Sequence, residues 1–235
     1  MGFWLLATIF AVSAGVSYVA TRQAQKQARK ASDAMRGVLL NKESNVEPIP
    51  VIYGTRRVGG TRVFISTQDE TGGDPNEYLY IAHVLCEGEI NAVSQIKFDD
   101  ILITDARFSG LVTHNVHLGT DDQTYDSLLT EANAGWTSAH RLRGVAYIAF
   151  RIKWDQDVFS NIPDITCVVQ GRKVFDPRNS TTAYSNNPAL CIRDYLTNAR
   201  YGKGLTSAQI DDTAFSQAAT DCDEVVTFYT TGTTG

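Results

Sequence analysis

The first feature of the sequence is an apolar run without interruption at residues 3–20. Residues 3–20 contain no charged side chain, and residues 21–40 continue with Ala, Gln and Lys and without Pro. Both compositions favour helix, so the pattern predicts one helix over residues 2–40, about 58 Å long at 1.5 Å per residue. A helix that is apolar all round must be buried in lipid or protein. We therefore place a first region, hydrophobic and then basic, at residues 1–42.

Short apolar stretches between Gly-, Pro- and Asp-containing turns follow in residues 43–180, which form the second region. Strands are predicted from alternation and β-branched content. The segment at residues 54–61 predicts a hairpin, and residues 165–175 predict a second hairpin that turns near Gly171. A short helix is predicted over residues 124–136. The predicted strands lie within residues 51–66, 78–90, 93–104, 112–120, 144–155 and 165–175.

The third region, residues 181–235, changes to a helical pattern. Asn at a cap position and Pro188 in the first turn predict a helix with an apolar stripe. A second helix is predicted over residues 206–225, with Thr206 or Ser207 as its cap. Residues 225–235 begin a strand, so we expect this chain to be the N-terminal piece of a longer polypeptide. The stripe of the first helix consists of Leu190, Ile192, Tyr195 and Leu196. The whole pattern predicts an α+β fold, with a β-rich body between two helical parts.

The charge is divided unevenly along the chain. Five basic residues against Asp33 give residues 1–40 a net charge of +4, and since the whole chain carries −5, residues 41–235 carry −9. A general nucleic-acid binder would need a basic surface, so this class is excluded. The four cysteines form no CxxC pair, which excludes a zinc ribbon. Cys86 and Cys167 lie in apolar runs and are expected to be reduced and buried.

None of the candidate chemical motifs predicts an enzyme, a metal site or a cofactor. Residues 54–61 have the spacing of a phosphate loop, but its Lys is missing. His114 and His117 are three apart on a predicted strand, and neighbours at that spacing point to opposite faces. The same spacing separates His83 from Cys86. We therefore expect structural histidines and an unreactive thiol.

Six stretches of the chain together resemble one family, the central tail hub or tip attachment proteins of long flexible-tailed bacteriophages (siphophages). Their order and number carry the resemblance, which covers most of residues 48–224. The stretches are PIPVIYGTRRVGG (48–60), YLYIAHVLCEGEI (78–90), HLGTDDQ (117–123), WTSAHRLRGVAYIAFRIKWD (136–155), IPDITCVVQGRKVFDPR (162–178) and NNPALCIRDYLTNARYGKGL (186–205).

The resemblance implies a structural virion protein at the distal end of a phage tail, without catalysis. Such proteins form a trimeric hub that links the tail tube to the tip or fibre and closes or gates the DNA channel. Their β-rich domains resemble the β-barrels of tail-tube proteins. The implied partners are two further copies of the chain, distal tail or tube-terminating ring proteins, the tape-measure protein, tail fibre or tip components, and genomic DNA that passes transiently.

Two groups of residues are the expected functional positions, and both are structural. The apolar helix would line or plug the channel, and glycines and aromatic residues would shape the hub. The helix positions are Phe3, Trp4, Leu5, Leu6, Ile9, Phe10, Val12, Val16 and Val19. The hub positions are Gly54, Gly59, Gly60, Gly119, Gly144, Tyr147, Phe150 and Trp154. Gly54, Gly59 and Gly60 would shape the hairpin. Tyr147, Phe150 and Trp154 lie in a predicted strand, where alternate residues would enter the core.

A different interpretation of residues 3–20 stays open. They also suit a membrane anchor or a signal segment, which would make the protein a membrane-anchored or periplasmic binding module. Both interpretations would hold if the helix of a tail hub protein contacted the host membrane after the tail opens. The acidic body suits a DNA channel, because negative walls repel phosphates.

Overall fold

The computed structural model describes residues 48–69 and 77–225, together with the strand Lys42–Glu43. The predicted N-terminal helix, with its plug positions from Phe3 to Val19, lies outside the described residues. The strands are β1 (Lys42–Glu43), β2 (Thr55–Val58), β3 (Thr61–Gln68), β4 (Tyr78–Glu87), β5 (Ile90–Phe98), β6 (Ile101–Leu102), β7 (Val112–Leu118), β8 (Val145–Lys153), β9 (Ile165–Asp176) and β10 (Thr181–Tyr184). The helices are α1 (Ser127–Thr130), α2 (Pro188–Thr197) and α3 (Asp212–Asp223).

The described strands form two open sheets. Sheet 1 has the order β1-β3-β4-β8-β7, antiparallel except for the parallel pairing of β1 with β3. Sheet 2 has the order β10-β9-β5-β6, and β2 also pairs with β9. A β-rich α+β architecture agrees with the sequence pattern. The predicted barrel is not confirmed, because neither sheet closes on itself among the described strands.

The central strands of sheet 1 are buried on both faces. In β8, Ala146, Ile148 and Phe150 belong to the core between the sheets, whereas Tyr147 belongs to a second cluster on the opposite face. That second cluster is covered by residues from the segment 126–142. Burial on both faces explains the nearly continuous apolar run. Alternate residues of β8 therefore enter the core between the sheets, and Tyr147 and Ala149 between them are buried on the opposite face.

Aromatic rings fill one end of the core between the sheets. The Phe98 ring lies 5.4 Å from Phe150 and 5.7 Å from Phe108, and Phe159 stacks on Phe108 at 5.7 Å. Trp154, just beyond β8, packs at this end with its ring 5.5 Å from Phe159. Tilted and edge-on contacts at these distances are favourable for aromatic rings.

Residues 54–61 do not form the predicted hairpin. β2 pairs with β9 in sheet 2, whereas β3 pairs with β4 in sheet 1. Gly59 and Gly60 carry the chain from one sheet to the other, and the carbonyl oxygen of Gly59 accepts a hydrogen bond from the buried ring of His83. Two glycines between two strand-like runs favour a hairpin locally, but the pairing partners lie far away in the chain and decide the outcome.

The second predicted hairpin is also wrong, because β9 is a single strand of 12 residues. Gly171 permits a close approach and not a turn. A Cβ atom at this position would overlap the carbonyl oxygen of Ile52. The Gly171 amide donates to the Gly54 carbonyl over 2.8 Å, and the Arg172 amide donates to the Ile52 carbonyl over 2.8 Å. The segment before β2 therefore lies directly against β9.

The helical region follows the sequence prediction in part. Asn187 caps α2, because its side chain accepts from the amides of Ala189 and Leu190, and Pro188 occupies the first turn. Thr206 caps only a short 3-10 turn at Ser207–Gln209, and α3 begins later with Asp211 as its cap. The helix predicted at residues 124–136 is reduced to the single turn of α1.

Candidate functional site

Two of the predicted hub glycines meet at one end of sheet 1. The Gly88 amide donates to the Gly144 carbonyl over 2.7 Å, and Gly119 lies directly against Gly88. The buried Gln123 side chain joins the same loops. It accepts from the Gly119 amide at 2.9 Å and donates to the Leu142 carbonyl at 2.7 Å. No feature of the sequence indicates that Gln123 is buried, because a buried amide side chain cannot be distinguished from an exposed one by its neighbours in sequence.

A buried carboxylate fastens the segment after β7 to the face of β7 that carries Asn115 and His117. Asp126 is 2% exposed and accepts hydrogen bonds from His117 Nε2 at 2.7 Å and Asn115 Nδ2 at 3.0 Å. It also caps α1 by accepting from the Leu129 amide at 3.1 Å. Burial acts to raise the pKa of Asp126, but these hydrogen bonds outweigh burial and hold its pKa below the usual range.

The two histidines of β7 lie on opposite faces of sheet 1, as the spacing predicts. The His117 ring stacks on Tyr147 at 4.3 Å, and the His114 ring stacks on Phe150 at 6.1 Å. Tyr147 and Phe150 belong to different core clusters. Across residues 48–69 and 77–225, no group of three or more His, Cys, Asp or Glu is arranged to hold a metal ion.

Replacing Asp126 with Ala is expected to lower the free energy of unfolding by about 2 kcal/mol, because one buried donor, the Leu129 amide, and two partly buried donors, on Asn115 and His117, lose their acceptor. Asp126→Asn keeps an acceptor oxygen and is expected to cost about half as much. Urea titration of the full chain measures both. Asp121→Ala, at an exposed position, is the matched control, and an equal loss at both positions would contradict this role for Asp126.

Burial disfavours the charged forms of both Cys86 and His83. Burial raises the pKa of the Cys86 thiol to about 12, so the reactive thiolate is disfavoured. His83 is fully buried, and burial lowers its pKa to about 4. A β-bulge between Val84 and Cys86 interrupts the alternation of β4, so the spacing argument for the opposite faces of His83 and Cys86 does not hold there.

β7 is the last strand of sheet 1. It pairs with β8 along all seven of its residues, and no other described strand pairs with its outer edge. Its sequence, VTHNVHL, contains no Asp, Glu, Lys, Arg or Pro, and Val116 is 37% exposed. Exposed edge strands normally carry such residues to prevent association with another strand. β7 therefore has the properties of a pairing edge.

The opposite edge of sheet 1 is similar. β1 pairs with β3 only at Thr61 and Arg62. From Val63 to Ser66, β4 is the only strand that pairs with β3 among the described strands, and these residues carry no charge. Successive antiparallel pairings make β3 and β7 run in opposite directions.

A second polar junction ties α2 to sheet 2. Asp194 accepts hydrogen bonds from the hydroxyls of Tyr53 and Tyr201, each at 2.6 Å, and from Arg172 Nε at 3.1 Å. Burial raises the pKa of both tyrosines, and the carboxylate adds to that shift. Arg200, in the loop after α2, pairs with Glu87 at the end of β4 over 2.5 Å.

The described helices are too short or too polar to cross a membrane. The anchor interpretation concerns residues 3–20, which lie outside the described residues, so it stays a prediction.

No protein-family model matches the chain, and no curated protein matches it. Among solved structures, the chain is similar to one described as "Virion of native gene transfer agent (GTA) particle", with 27% sequence identity and a TM-score of 0.43. The similarity covers 56% of this chain and 28% of that chain. A virion is also the class of particle that the sequence resemblance indicates. At a TM-score below 0.5, however, the structural similarity does not establish a fold or a function.

Proposed function

We propose that the protein is a structural virion protein that forms the trimeric hub at the distal end of a bacteriophage tail tube. In this role it links the tube to the tip or fibre and closes or gates the DNA channel. The proposal rests on the six stretches that resemble the hub family and on one geometric feature, the pair of uncharged edges of sheet 1.

The two edges suit head-to-tail association. β7 of one copy can pair with β3 of the next, and because the two strands run in opposite directions, the new pairing continues the antiparallel order of β3, β4, β8 and β7. A head-to-tail contact of this kind produces a ring when its rotation closes. The number of three copies comes from the family resemblance.

The remaining parts of the proposal follow from charge and composition. The acidic balance of residues 41–235 suits a wall that DNA passes without binding. We propose no catalytic role for the protein, in keeping with the high pKa of Cys86 and the low pKa of His83. The apolar segment 3–20 would lie along the channel, next to the tape-measure protein and the ring proteins above the hub.

Placing a charge on β7 tests the assembly. Val116→Lys is expected to weaken self-association of the full chain at least tenfold, because a Lys at the pairing edge must be desolvated when the next strand docks. Native mass spectrometry over a concentration series measures the population of trimers. The matched control is Ala183→Lys on β10, an exposed position on the edge of sheet 2. Equal trimer formation by both variants, or a wild type that stays monomeric at every concentration, would contradict the proposed ring.

A further inference from the structure

The outer edges of β3 and β7 are matched in length and in polarity. Residues 63–68 of β3 read VFISTQ and contain no charged residue. Among the described strands, these six residues pair only with β4. β7 has seven residues and also lacks Asp, Glu, Lys and Arg. Each edge exposes one valine, Val63 at 38% and Val116 at 37%, so the two edges can pair along nearly their whole length without bringing charges together.

The hydrogen bonds of β7 show which of its backbone groups point outward. In an antiparallel pair, every second residue exchanges hydrogen bonds with the residue opposite, and the residues between them direct their amide and carbonyl groups to the other side. The Lys153 amide donates to the Leu111 carbonyl over 2.8 Å. In the register of β7 with β8, this hydrogen bond makes Asn115 and His117 residues that bond to β8. The amide and carbonyl groups of Val116, between them, therefore point to the outer edge.

The same alternation fixes the direction of the backbone groups of β3. The Trp154 amide donates to the Glu77 carbonyl over 2.7 Å. In the register of β4 with β8, the odd-numbered residues of this part of β4 therefore bond to β8 and the even-numbered ones bond to β3. Tyr80 accordingly bonds to Ser66, which lies opposite it. The amide and carbonyl groups of the neighbouring residue, Ile65, point to the outer edge of β3.

The outward-pointing residues of both edges carry their side chains on the same face of sheet 1. Ile65 packs against the core between the two sheets, and so do Val112 and Leu118, which alternate with Val116 in steps of two along β7. Opposite residues of an antiparallel pair share a face. A pairing of Ile65 with Val116 therefore continues the inner face of sheet 1 from one copy to the next, whereas edges in opposite phase would join an inner face to an outer one.

We propose that β7 of one copy pairs with β3 of a second copy in a single register, with Val116 opposite Ile65. This inference rests on the proposed ring and names the contact that closes it. The register places residues 113–118 against residues 63–68, six against six. It ends just before Arg62, where β1 already pairs with β3.

The residues that meet in this register are matched in character. His117 comes opposite Phe64, and Val116 comes opposite Ile65; aromatic and β-branched pairs of this kind stabilise antiparallel strands. The polar residues 113–115 meet the polar residues 66–68. A shift by two residues in one direction would bring His117 opposite Arg62, beside β1. A shift in the other direction would leave only four residue pairs, so the register with six pairs is favoured.

Cysteine cross-linking between full chains tests the register. Every chain also carries Cys191→Ser and Cys222→Ser, because these two thiols are not fully buried. Thr113 and Gln68 form a non-hydrogen-bonded pair in the proposed register, with Cα atoms about 4.5 Å apart, a distance that a disulfide spans. Chains with Thr113→Cys are expected to cross-link to chains with Gln68→Cys at least tenfold faster than to chains with Ser66→Cys, the matched control, which lies on the diagonal at about 7–8 Å.

Native mass spectrometry of the reduced samples separates the register from the ring. Each variant is expected to form trimers before oxidation, as the wild type does, which shows that the substitutions do not prevent assembly. Trimers that link faster through Ser66→Cys than through Gln68→Cys, or that link through neither, would overturn the register and leave the proposed ring standing. Chains that stay monomeric at every concentration, the wild type included, would overturn the ring and the register together.

Discussion

Replacing Gly119 with Ala is expected to lower the free energy of unfolding by about 3 kcal/mol or more. Gly119 has a φ of +81°, where an L-residue is strained by about 1–2 kcal/mol. A Cβ atom would also overlap the Gly88 carbonyl oxygen and lie 2.8 Å from the Ala146 amide nitrogen. Both neighbours are backbone atoms of packed strands and loops, so they cannot move aside, and overpacking adds about 1–3 kcal/mol.

Gly144→Ala separates the two contributions. Gly144 also has a positive φ, +74°, but the nearest atom to its Cβ position is an Asp121 carboxylate oxygen at 3.8 Å. This variant should show only the backbone strain, about 1 kcal/mol. Chemical denaturation of the full chain measures both variants. Equal losses would mean that the contact between Gly119 and Gly88 does not constrain this end of sheet 1.

The free energy of unfolding is expected to fall by about 3 kcal/mol as the pH is lowered from 6.5 to 4, because of His83. Burial lowers the pKa of His83 from 6.5 to about 4 in the folded protein. The unfolded chain therefore takes up this proton first as the pH falls, and protonation favours unfolding across that window. Above pH 6.5 the ring is neutral in both states, and the penalty disappears.

His83→Gln tests this pH dependence. A Gln amide can still donate to the Gly59 carbonyl oxygen, which His83 Nε2 contacts in the wild type, but it does not titrate. The variant should lose most of the decline between pH 6.5 and 5, a range above the ordinary pKa of carboxylates. His140→Gln, at an exposed position, is the control. A decline of the same size in His83→Gln would contradict the buried neutral imidazole.

The parts of the fold that follow from the sequence are those set by local patterns. The long apolar runs at β4 and β8 predict strands because few other structures bury so many neighbouring residues. Asn187 and Pro188 predict the start of α2, because a cap and a first-turn proline act within one turn of helix. These predictions are confirmed.

The errors come from partners that are distant in the chain. Two glycines at residues 59 and 60 favour a hairpin, but β2 finds its partner in β9, more than 100 residues later. Gly171 was interpreted as a turn residue. Its close contact with the backbone of Ile52 cannot be predicted from the residues next to Gly171 in sequence. Local propensity was overridden by pairing between distant strands in both cases.

The polar junctions were missed for the same reason. Tyr53 and Asp194 are separated by 141 positions, and neither belongs to a recognisable motif. Asp126 looked like an ordinary polar residue before a short helix, although it accepts three hydrogen bonds inside the protein. In the predicted stripe of α2, Leu190 is buried but Ile192 and Tyr195 are exposed, because periodicity alone does not show which charged residues find partners in the interior.

Location and copy number in purified particles test the central claim most directly. Antibodies raised against residues 48–225 would be used for immunogold electron microscopy, and quantitative mass spectrometry would give the number of copies per particle. The hub proposal predicts gold at the distal end of the tail and three copies in each particle. Particles without label, together with the protein in a cell-envelope fraction, would contradict the hub and favour the membrane-anchored or periplasmic module.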